Sequence, residues 1–525
     1  MKVLLTTLNS KYSHVNIALY YLKNRIIDLC DVDTLNLNIN DELSNSLSKI
    51  ISYNADVICF GVYVWNIDQT LKIAENIKKI RPNTIISFGG PEVSYNKNEI
   101  IEKYDFVDSI LCLESENNIV QFIQDVKSGN IKNIYEIPVA STDIPDISVD
   151  LVENYDNRAV YFETSRGCPF RCSYCLSCID KNMKYFDLEN VKKQLKKLLD
   201  LDVIQIRFID RTFNSNKKRA IEIWKFILEN RKNTTCHFEI CASLIDQDTL
   251  EFLKDIPKDI FRFEIGIQST NIKTLEEINR KYNFDYEKDI IQKLVELDTI
   301  LIHTDLIIGL PFETLDIFKK SFNELCELHT TEIQLGFLKF LKGTDIYKKK
   351  DEFEYLYIGY PPYEVLSNMF ISYDEISYLK KFESVFESLY NSKKFVESIK
   401  YIETKFSSYY EMYECLTNYF IQNKLTDRKI SYDEIYESLM KIFDNDTTLS
   451  QTLTYDYSSN FKGTRDWMQN KYNLKEEILQ YIVDNKNTKF ENITTTEILK
   501  KYKFIVLDYN IKTKSNEKTF YTFLK

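Results

Sequence analysis

Glycine and proline are scarce, 11 and 9 among 525 residues, which excludes the Pro/Gly-rich composition of a disordered or low-complexity chain. Long apolar runs are missing as well. No stretch approaches the ~18–20 residues that cross a bilayer, so no membrane partner is expected. Positive charge is outweighed. A formal net charge of −11 argues against a nucleic-acid partner and leaves room only for a local basic groove. Histidine is limited to His14, His237, His303 and His329. The opening residues, Met1-Lys-Val-Leu-Leu-Thr-Thr, read as a strand and not as a signal peptide. Eleven cysteines make an odd number in a large chain, which argues against a secreted disulfide scaffold. A reducing, cytoplasmic location is expected.

What is present is a globular balance, 44% hydrophobic and 28% charged, with 36 Tyr and 33 Phe. The length predicts two to four domains. Residues 1–128 alternate strand and helix patterns. Strands are expected at Lys2–Thr7, Val32–Leu37, Asp56–Val64, Thr84–Phe88 and Ser109–Leu113, with helical spacing in the gaps. Asp56–Val64 is a nearly continuous apolar run, as in a strand covered on both faces. This is an α/β pattern of five βα units, predicting a doubly wound, Rossmann-like parallel sheet. No G-x-G-x-x-G follows the first strand, so a dinucleotide fingerprint is not supported. Gly89-Gly90, directly after a strand, fits either a tight turn or a close backbone approach to a ligand.

Residues 129–157 contain Pro138 and Pro145 without periodicity and read as a linker. Between 158 and 346 the alternation restarts. Strands are expected at Ala159–Glu163, Val203–Ile209, His237–Ala242, Arg262–Ile267, Ile300–Ile308 and Glu332–Phe340. Six βα units predict a partial (β/α)6 TIM-like barrel, one side of which a substrate or the neighbouring domain must close. From 347 to 525 the pattern becomes mainly α-helical and rich in Tyr and Phe. It ends in two strand-like stretches, Phe504–Tyr509 and Lys518–Phe523.

The stretch that orders this chain is Glu163-Thr-Ser-Arg-Gly-Cys-Pro-Phe-Arg-Cys-Ser-Tyr-Cys175, which places Cys168, Cys172 and Cys175 in a loop after a strand. Thiolates are soft ligands suited to zinc or iron–sulfur clusters. A structural zinc site pairs two CxxC knuckles to close four ligands, and no second CxxC lies outside this loop. Three thiolates on a four-iron cluster leave one iron open, which marks a working metal site.

The spacing C-x3-C-x-aromatic-C, with Tyr174 at the aromatic position, resembles the signature of the radical S-adenosylmethionine (radical SAM) enzymes. By that resemblance Cys168, Cys172 and Cys175 hold a 4Fe–4S cluster, S-adenosylmethionine binds its open iron, and Cys178 is a neighbouring thiol. Three later strand ends are similar to the family's S-adenosylmethionine contacts: Asp210 in Phe208–Asn214, Glu264 and Gln268 in Glu264–Ser269, and Gly309 in Asp305–Glu313. Together with Tyr174 they are the implied cofactor residues. The order of domains resembles the cobalamin-binding subclass, in which the N-terminal sheet presents its C-terminal edge to the corrin. The implied cobalamin residues are Ser13 and His14 after the first strand, Val64 after the third, and Gly89, Gly90, Pro91 and Glu92 after the fourth. The D-x-H-x-x-G pattern that supplies a cobalt-ligating histidine is absent, which leaves the lower cobalt face unassigned. The C-terminal part resembles an uncharacterised domain found on some of these proteins.

The resemblance implies an enzyme that forms a 5′-deoxyadenosyl radical and transfers a methyl group to an unactivated carbon or phosphorus centre of a small-molecule substrate. A low-potential donor such as flavodoxin or ferredoxin would supply its electron. An anaerobic oxidative cyclase of the magnesium-protoporphyrin IX monomethyl ester type shares the layout. A methylthiotransferase would need a second cysteine triad in the N-terminal domain, where Cys30, Cys59 and Cys112 are dispersed. A non-catalytic cobalamin sensor would not need intact cluster cysteines.

Overall fold

The computed structural model describes residues 1–137, 159–178, 183–280, 284–444, 446–461 and 465, and the backbone of 493–496 and 505–508. Two compact units are present: Met1–Ser321 with Leu328–Tyr373, and Phe322–Glu327 with Asp374–Lys525.

The first unit begins with β1 (Lys2–Asn9), β2 (His14–Val15), β3 (Asp31–Asn38), β4 (Val57–Gly61), β5 (Ile85–Gly89), β6 (Ser109–Leu111) and β7 (Ile134–Tyr135). Six of these form a parallel sheet in the order β3-β1-β4-β5-β6-β7. The apolar run in β4 is buried on both faces, as its sequence requires, because helices cover each side. The helix Ile67–Ile80 shows why: Ile67, Thr70, Ile73, Ala74 and Ile77 repeat at helical spacing and all are buried. Strand order reverses beside β1, whose neighbours are β3 and β4. Such a switch point opens a crevice at the C-terminal strand edge. The strand β7 falls in the stretch read as linker; residues 138–158 lie outside the described residues.

The barrel strands are β8 (Ala159–Phe162), then, after the short hairpin of β9 (Ser165–Arg166) with β10 (Lys184–Tyr185), β11 (Gln205–Phe208), β12 (Thr235–Ile240), β13 (Phe261–Gln268), β14 (Leu301–Ile308) and β15 (Glu332–Phe337). All six expected strands form, and each pairs in parallel with the next. The full sheet order, β15-β14-β13-β12-β11-β8-β2, holds a seventh strand. It is β2, from the segment that follows β1, with His14 opposite Ala159 and Val15 opposite Val160. The neighbouring domain therefore covers the β8 edge of the open barrel, and it does so with backbone hydrogen bonds.

Strand β13 shows how the barrel wall is written in sequence. In FRFEIGIQ the residues Phe261, Phe263, Ile265 and Ile267 are almost fully buried. Phe261 and Phe263 join Phe238 and Trp224 in an aromatic layer beneath the helix Lys217–Asn230. Arg262, Glu264, Gly266 and Gln268 alternate with them and line the lumen. The unit continues through a hairpin of β16 (Leu356–Tyr357) and β17 (Val365–Ser367), in a stretch read as helical from 347.

The second unit is helical, with Val396–Glu403, Tyr409–Gln422, Tyr432–Ile442 and Thr447–Asn460 packed around Leu389, Phe395, Tyr413, Tyr436 and Tyr457. Much of the Tyr and Phe richness is this core. Buried Asp456 accepts hydrogen bonds from the Ser398 backbone N–H and hydroxyl at 2.8 and 2.7 Å. Ile505–Asp508 is a strand as expected, but it pairs antiparallel with Ile493–Thr496; Lys518–Phe523 lies outside the described residues. No described helix is long and apolar enough to cross a membrane.

Candidate functional site

The cysteine loop leaves β8 and is fixed at both ends. At its start, buried Asp210, at the end of β11, accepts hydrogen bonds from the Thr164 N–H (2.9 Å), the Thr164 hydroxyl (2.7 Å) and the Ser165 hydroxyl (2.6 Å). Burial raises the Asp210 carboxyl above its ordinary value, and these donors oppose the rise. Further along, Arg171 O accepts from Asn279 Nδ2 at 2.8 Å, and the Ser173 N–H donates to Ile278 O at 2.9 Å. Cys168 Sγ lies 3.4 Å from the Thr212 hydroxyl, and a turn closes Cys172 O on the Cys175 N–H at 3.1 Å.

Two arginines grip this loop. Arg280 donates from Nη1 to the Tyr174 hydroxyl (3.1 Å) and to Cys172 Sγ (3.6 Å), and from Nη2 to Gly266 O. Arg166, inside the loop, donates from Nη2 to Glu163 and to Glu116, both at 2.6 Å, and lies 3.6 Å from Glu114 through Nη1. Glu116 opens the helix Glu116–Ser128 of the N-terminal domain. The cluster loop and that domain thus share one nearly buried guanidinium.

The donor set fits a cluster. Three soft thiols stand in one loop, Arg280 points a charge-assisted donor at Cys172, and the positive charge of Arg211 lies near Cys168 and Cys175. Cations beside sulfur favour the thiolate form that ligates iron. Among the described residues no three His, Cys, Asp or Glu side chains converge as the ligands of a single ion.

The C-terminal edge of the first sheet forms a separate cavity of about 420 Å³, lined by Gly61, Tyr63, Gly89, Gly90 and Pro91 on one side and by Glu163, Arg166 and Arg211 on the other. A Cβ at Gly90 would stand 2.5 Å from Val62 O, and the φ of +111° is open only to glycine. Gly90 is therefore fixed by its close approach to the Val62 backbone, and with Gly89 it leaves a backbone cradle at this edge of the cavity, which fits the corrin edge. His14 and Ser13 are not on it. They belong to β2 and the turn before it, and the Ser13 carbonyl accepts from the Ala159 N–H at 2.8 Å. His14 Nδ1 lies 2.7 Å from the Tyr161 hydroxyl. Burial first, then the charges of Arg207 and Lys11, lower the His14 imidazole to about 4. Glu92 accepts from the Tyr363 hydroxyl at 2.6 Å, and neither Glu92 nor the half-buried Val64 lines the cavity.

The residues expected at S-adenosylmethionine separate in the same way. Tyr174 and Gln268 stand beside Arg280 and Gly266; the Gln268 amide fills the space a Gly266 Cβ would take. Glu264 reaches the lumen. Asp210, in contrast, is a staple whose oxygens serve the loop. Gly309 (φ +91°) is a packing position: a Cβ there would stand 2.7 Å from Val365 Cγ1, and its carbonyl is capped by the Tyr355 hydroxyl and Asn368 Nδ2 at 2.9 and 3.0 Å.

The lumen holds charge that the spacing of motifs did not announce. His237 Nε2 lies 2.9 Å from Glu264, and His303 Nε2 lies 3.0 Å from Asp305 Oδ1 in a charge contact whose angle is poor for a hydrogen bond. Burial alone would raise Glu264, but the His237 hydrogen bond and the charges of His303, His237 and Arg207 hold it below its ordinary value. Burial raises Glu239 to about 7, with Arg211 opposing. Arg166, Arg207, Arg211 and Arg280 escaped the sequence reading. The alternation in β11 was an available signal for Arg207 alone, because Arg166, Arg211 and Arg280 lie outside β11 to β14.

Known proteins bear on this arrangement. Residues 3–123 match the B12 binding domain, 162–325 the radical SAM superfamily and 351–523 a domain described as a protein of unknown function, DUF4080. The cobalamin-dependent radical SAM methyltransferase TokK of Streptomyces tokunonensis is 24% identical over 311 residues, 52% of this chain and 45% of that protein. This chain therefore matches less than half the length of that relative. A tRNA-2-methylthio-N(6)-dimethylallyladenosine synthase of Clostridium botulinum is 22% identical over 348 residues, 61% of this chain and 77% of that one. Among solved structures, the cobalamin-dependent S-adenosylmethionine radical enzyme OxsB with aqua-cobalamin aligns with a TM-score of 0.61 and 15% identity, over 92% of this chain and 84% of that one. The radical S-adenosylmethionine methyltransferase TsrM of Kitasatospora setae, with cobalamin and a [4Fe-4S] cluster, aligns with a TM-score of 0.56 and 15% identity, over 67% and 74%. At that identity the likeness is one of fold.

Proposed function

We infer that this chain, a B12-binding domain joined to a radical SAM domain and a DUF4080 domain, is a cobalamin-dependent radical SAM methyltransferase acting on an unactivated carbon or phosphorus centre. One observation carries the reading. The cysteine loop at the barrel mouth and the Gly89-Gly90 cradle are held together by Arg166, which bonds Glu163 of the loop and Glu116 of the cradle domain. When bound, the cluster with S-adenosylmethionine supplies a 5′-deoxyadenosyl radical and cobalamin supplies a methyl group.

The residues of the chain do the positioning. Cys168, Cys172 and Cys175 would hold the cluster, with Arg280 donating to Cys172 and fixing Tyr174 against the loop. Gly89 and Gly90 would present backbone to the corrin at the sheet edge, Gly90 held there by its close approach to the Val62 carbonyl. The Asp210 staple keeps the loop at the C-terminal mouth of the barrel, where inward strand residues meet a substrate. A low-potential flavodoxin or ferredoxin would deliver the electron.

The methylthiotransferase alternative gains nothing from the N-terminal cysteines. Burial raises Cys59 to about 12 and Cys112 to about 11, so both are protonated packing residues. Anaerobic reconstitution tests the main reading. Cys168→Ala, Cys172→Ala and Cys175→Ala should each lose iron and 5′-deoxyadenosine formation, whereas Cys178→Ala should keep both. Methyl-labelled S-adenosylmethionine should label bound cobalamin. A protein that forms 5′-deoxyadenosine without labelling cobalamin would instead be a cyclase, and one that forms none would be a sensor.

A further inference from the structure

A second cavity, of about 370 Å³, lies where the segment after β1 meets the barrel lumen. Its carboxylates are already engaged. Glu264 accepts from His237 at 2.9 Å, and Glu239 lies 3.4 Å from Arg211. Its cations are not all engaged. Arg207 donates through Nε to Gln205 Oε1 at 2.8 Å. Among the described residues its two terminal nitrogens have no hydrogen-bond partner, and no carboxylate lies within 4.0 Å of them in an ion pair. His14, the histidine close to Arg207, is no counter-ion.

His237 adds a second open valence. It is only 7% exposed and lines this cavity. Ionised Glu264 is an acceptor only, so the Nε2–H must be the donor between them. That leaves Nδ1 buried without a partner among the described residues. The carboxylates of the recess are turned to His237 and Arg211. A guanidinium with open terminal nitrogens thus stands beside an unsatisfied buried ring nitrogen, and a ligand acceptor and donor would complete both.

The opposite wall is aromatic and rigid. Trp65 and Tyr63 stack at 4.5 Å and 3°. Trp65 Nε1 donates to Leu8 O at 3.2 Å, and the Tyr63 hydroxyl accepts from Asn16 Nδ2 at 2.9 Å. Trp65 keeps 44% of its surface exposed. A rigid, partly exposed indole opposite a guanidinium fork suits a ligand with an apolar or flat body and an anionic end.

We propose that this cavity binds the substrate, a small molecule whose carboxylate or phosphate is held by Arg207 and whose apolar body lies against Trp65, with His237 Nδ1 as a further polar contact. The proposal rests on the reading of the chain as an enzyme on a small molecule and adds the chemical class of that molecule. Charge-assisted, bidentate recognition of carboxylate or phosphate is what a guanidinium provides and an ammonium does not.

The test is calorimetric titration of full-length protein loaded with cluster and cobalamin, with S-adenosylmethionine saturating so that its own carboxylate does not compete. Four probes share one aromatic body: 3-phenylpropionate, phenyl phosphate, phenethylamine and phenethyl alcohol. One of the anions should bind at least tenfold tighter than the amine and the alcohol, and which of the two leads separates a carboxylate substrate from a phosphate one. Arg207→Met should remove that preference, and Arg207→Lys should keep part of it. Equal binding of all four probes, tighter binding of the amine, or an anion preference that survives Arg207→Met would overturn the proposal. If Arg207→Met does not take up iron, the probe series on the wild type and on Arg207→Lys still decides. Methyl transfer is not read in this experiment, so its failure would leave the anion preference standing.

Discussion

Removing Arg166 should expose the energetics of the join between cluster loop and cradle domain. The side chains of Arg166, Glu163 and Glu116 are 16%, 10% and 11% exposed, so the group is nearly out of water. In Arg166→Met two carboxylates lose their shared cation at once. Breaking a buried pair from one side costs about 3–5 kcal/mol, and we expect about 4 kcal/mol at pH 8. The loss should depend on pH with a definite sign. Even in the wild type, burial raises the Glu163 carboxyl, with Arg166 opposing. Without the arginine the Glu163 carboxyl rises further above its unfolded value, so folding takes up a proton. Stability is then retained at low pH and lost as pH rises through the raised value, by up to about 1.4 kcal/mol per pH unit. Urea unfolding of the cofactor-free chain, followed by the fluorescence of fully buried Trp224, should show a larger deficit at pH 8 than at pH 6. Adding Glu163→Gln and Glu116→Gln to Arg166→Met should restore most of it, because no buried charge is left unpaired. A loss under about 1 kcal/mol, equal at both pH values, would mean that the network is solvated and does not hold the two parts together.

Gly90→Ala should cost about 1–3 kcal/mol and abolish corrinoid uptake, read from absorbance after reconstitution, while iron content is unchanged; Gly129→Ala, whose Cβ meets nothing within 4 Å, is the control for positive φ alone. Normal corrinoid uptake by Gly90→Ala would remove the cradle from the cobalamin site. Glu313→Gln should flatten part of the pH dependence of Tm. Burial lifts this carboxyl to about 7, opposed by hydrogen bonds from Ser269, Thr274 and Ser321. Its folded value exceeds its unfolded one, so its contribution is present at acidic pH and lost as pH rises through about 7. The slope between pH 6 and 8 should therefore be shallower in the variant, by about 1–2 kcal/mol over that span, and parallel curves would show that Glu313 reaches solvent.

The strands and the cysteine loop were legible because each is a local pattern. The apolar run in β4, the alternation in β13 and the three thiols of the loop need no knowledge of what lies opposite. Asp210 and Gly309 show where local pattern stops being informative. A polar residue or a glycine at a C-terminal strand end looks the same whether it faces a ligand or a neighbouring segment. Only the tertiary contacts show what each one touches in the fold, the Thr164 and Ser165 donors for Asp210 and Val365 for Gly309. Arg280 was invisible for a related reason, since its partners Cys172 and Tyr174 are remote in sequence and no spacing links them. The C-terminal hairpin repeats the lesson: Ile505–Asp508 reads as a strand, but nothing within it selects Ile493–Thr496 as its partner.

The strand β2 is the case with most consequence. Two residues carry no periodicity, so His14 and Val15 read as part of a βα loop, and the resemblance implied His14 only as a residue beside cobalamin. Pairing with β8 changes what that histidine does. The register His14↔Ala159 sets its ring against the Tyr161 hydroxyl, in the wall of the polar cavity. A slip of one residue would turn His14 and Tyr161 to opposite faces of the sheet. The same pairing protects an otherwise open edge of the barrel. The segment that leaves the first sheet beside the corrin cradle is thus the one that closes the lumen. A molecule placed between Trp65 and Arg207 would touch both domains, because their backbones are joined there by a β-ladder and, beside the cluster loop, by Arg166.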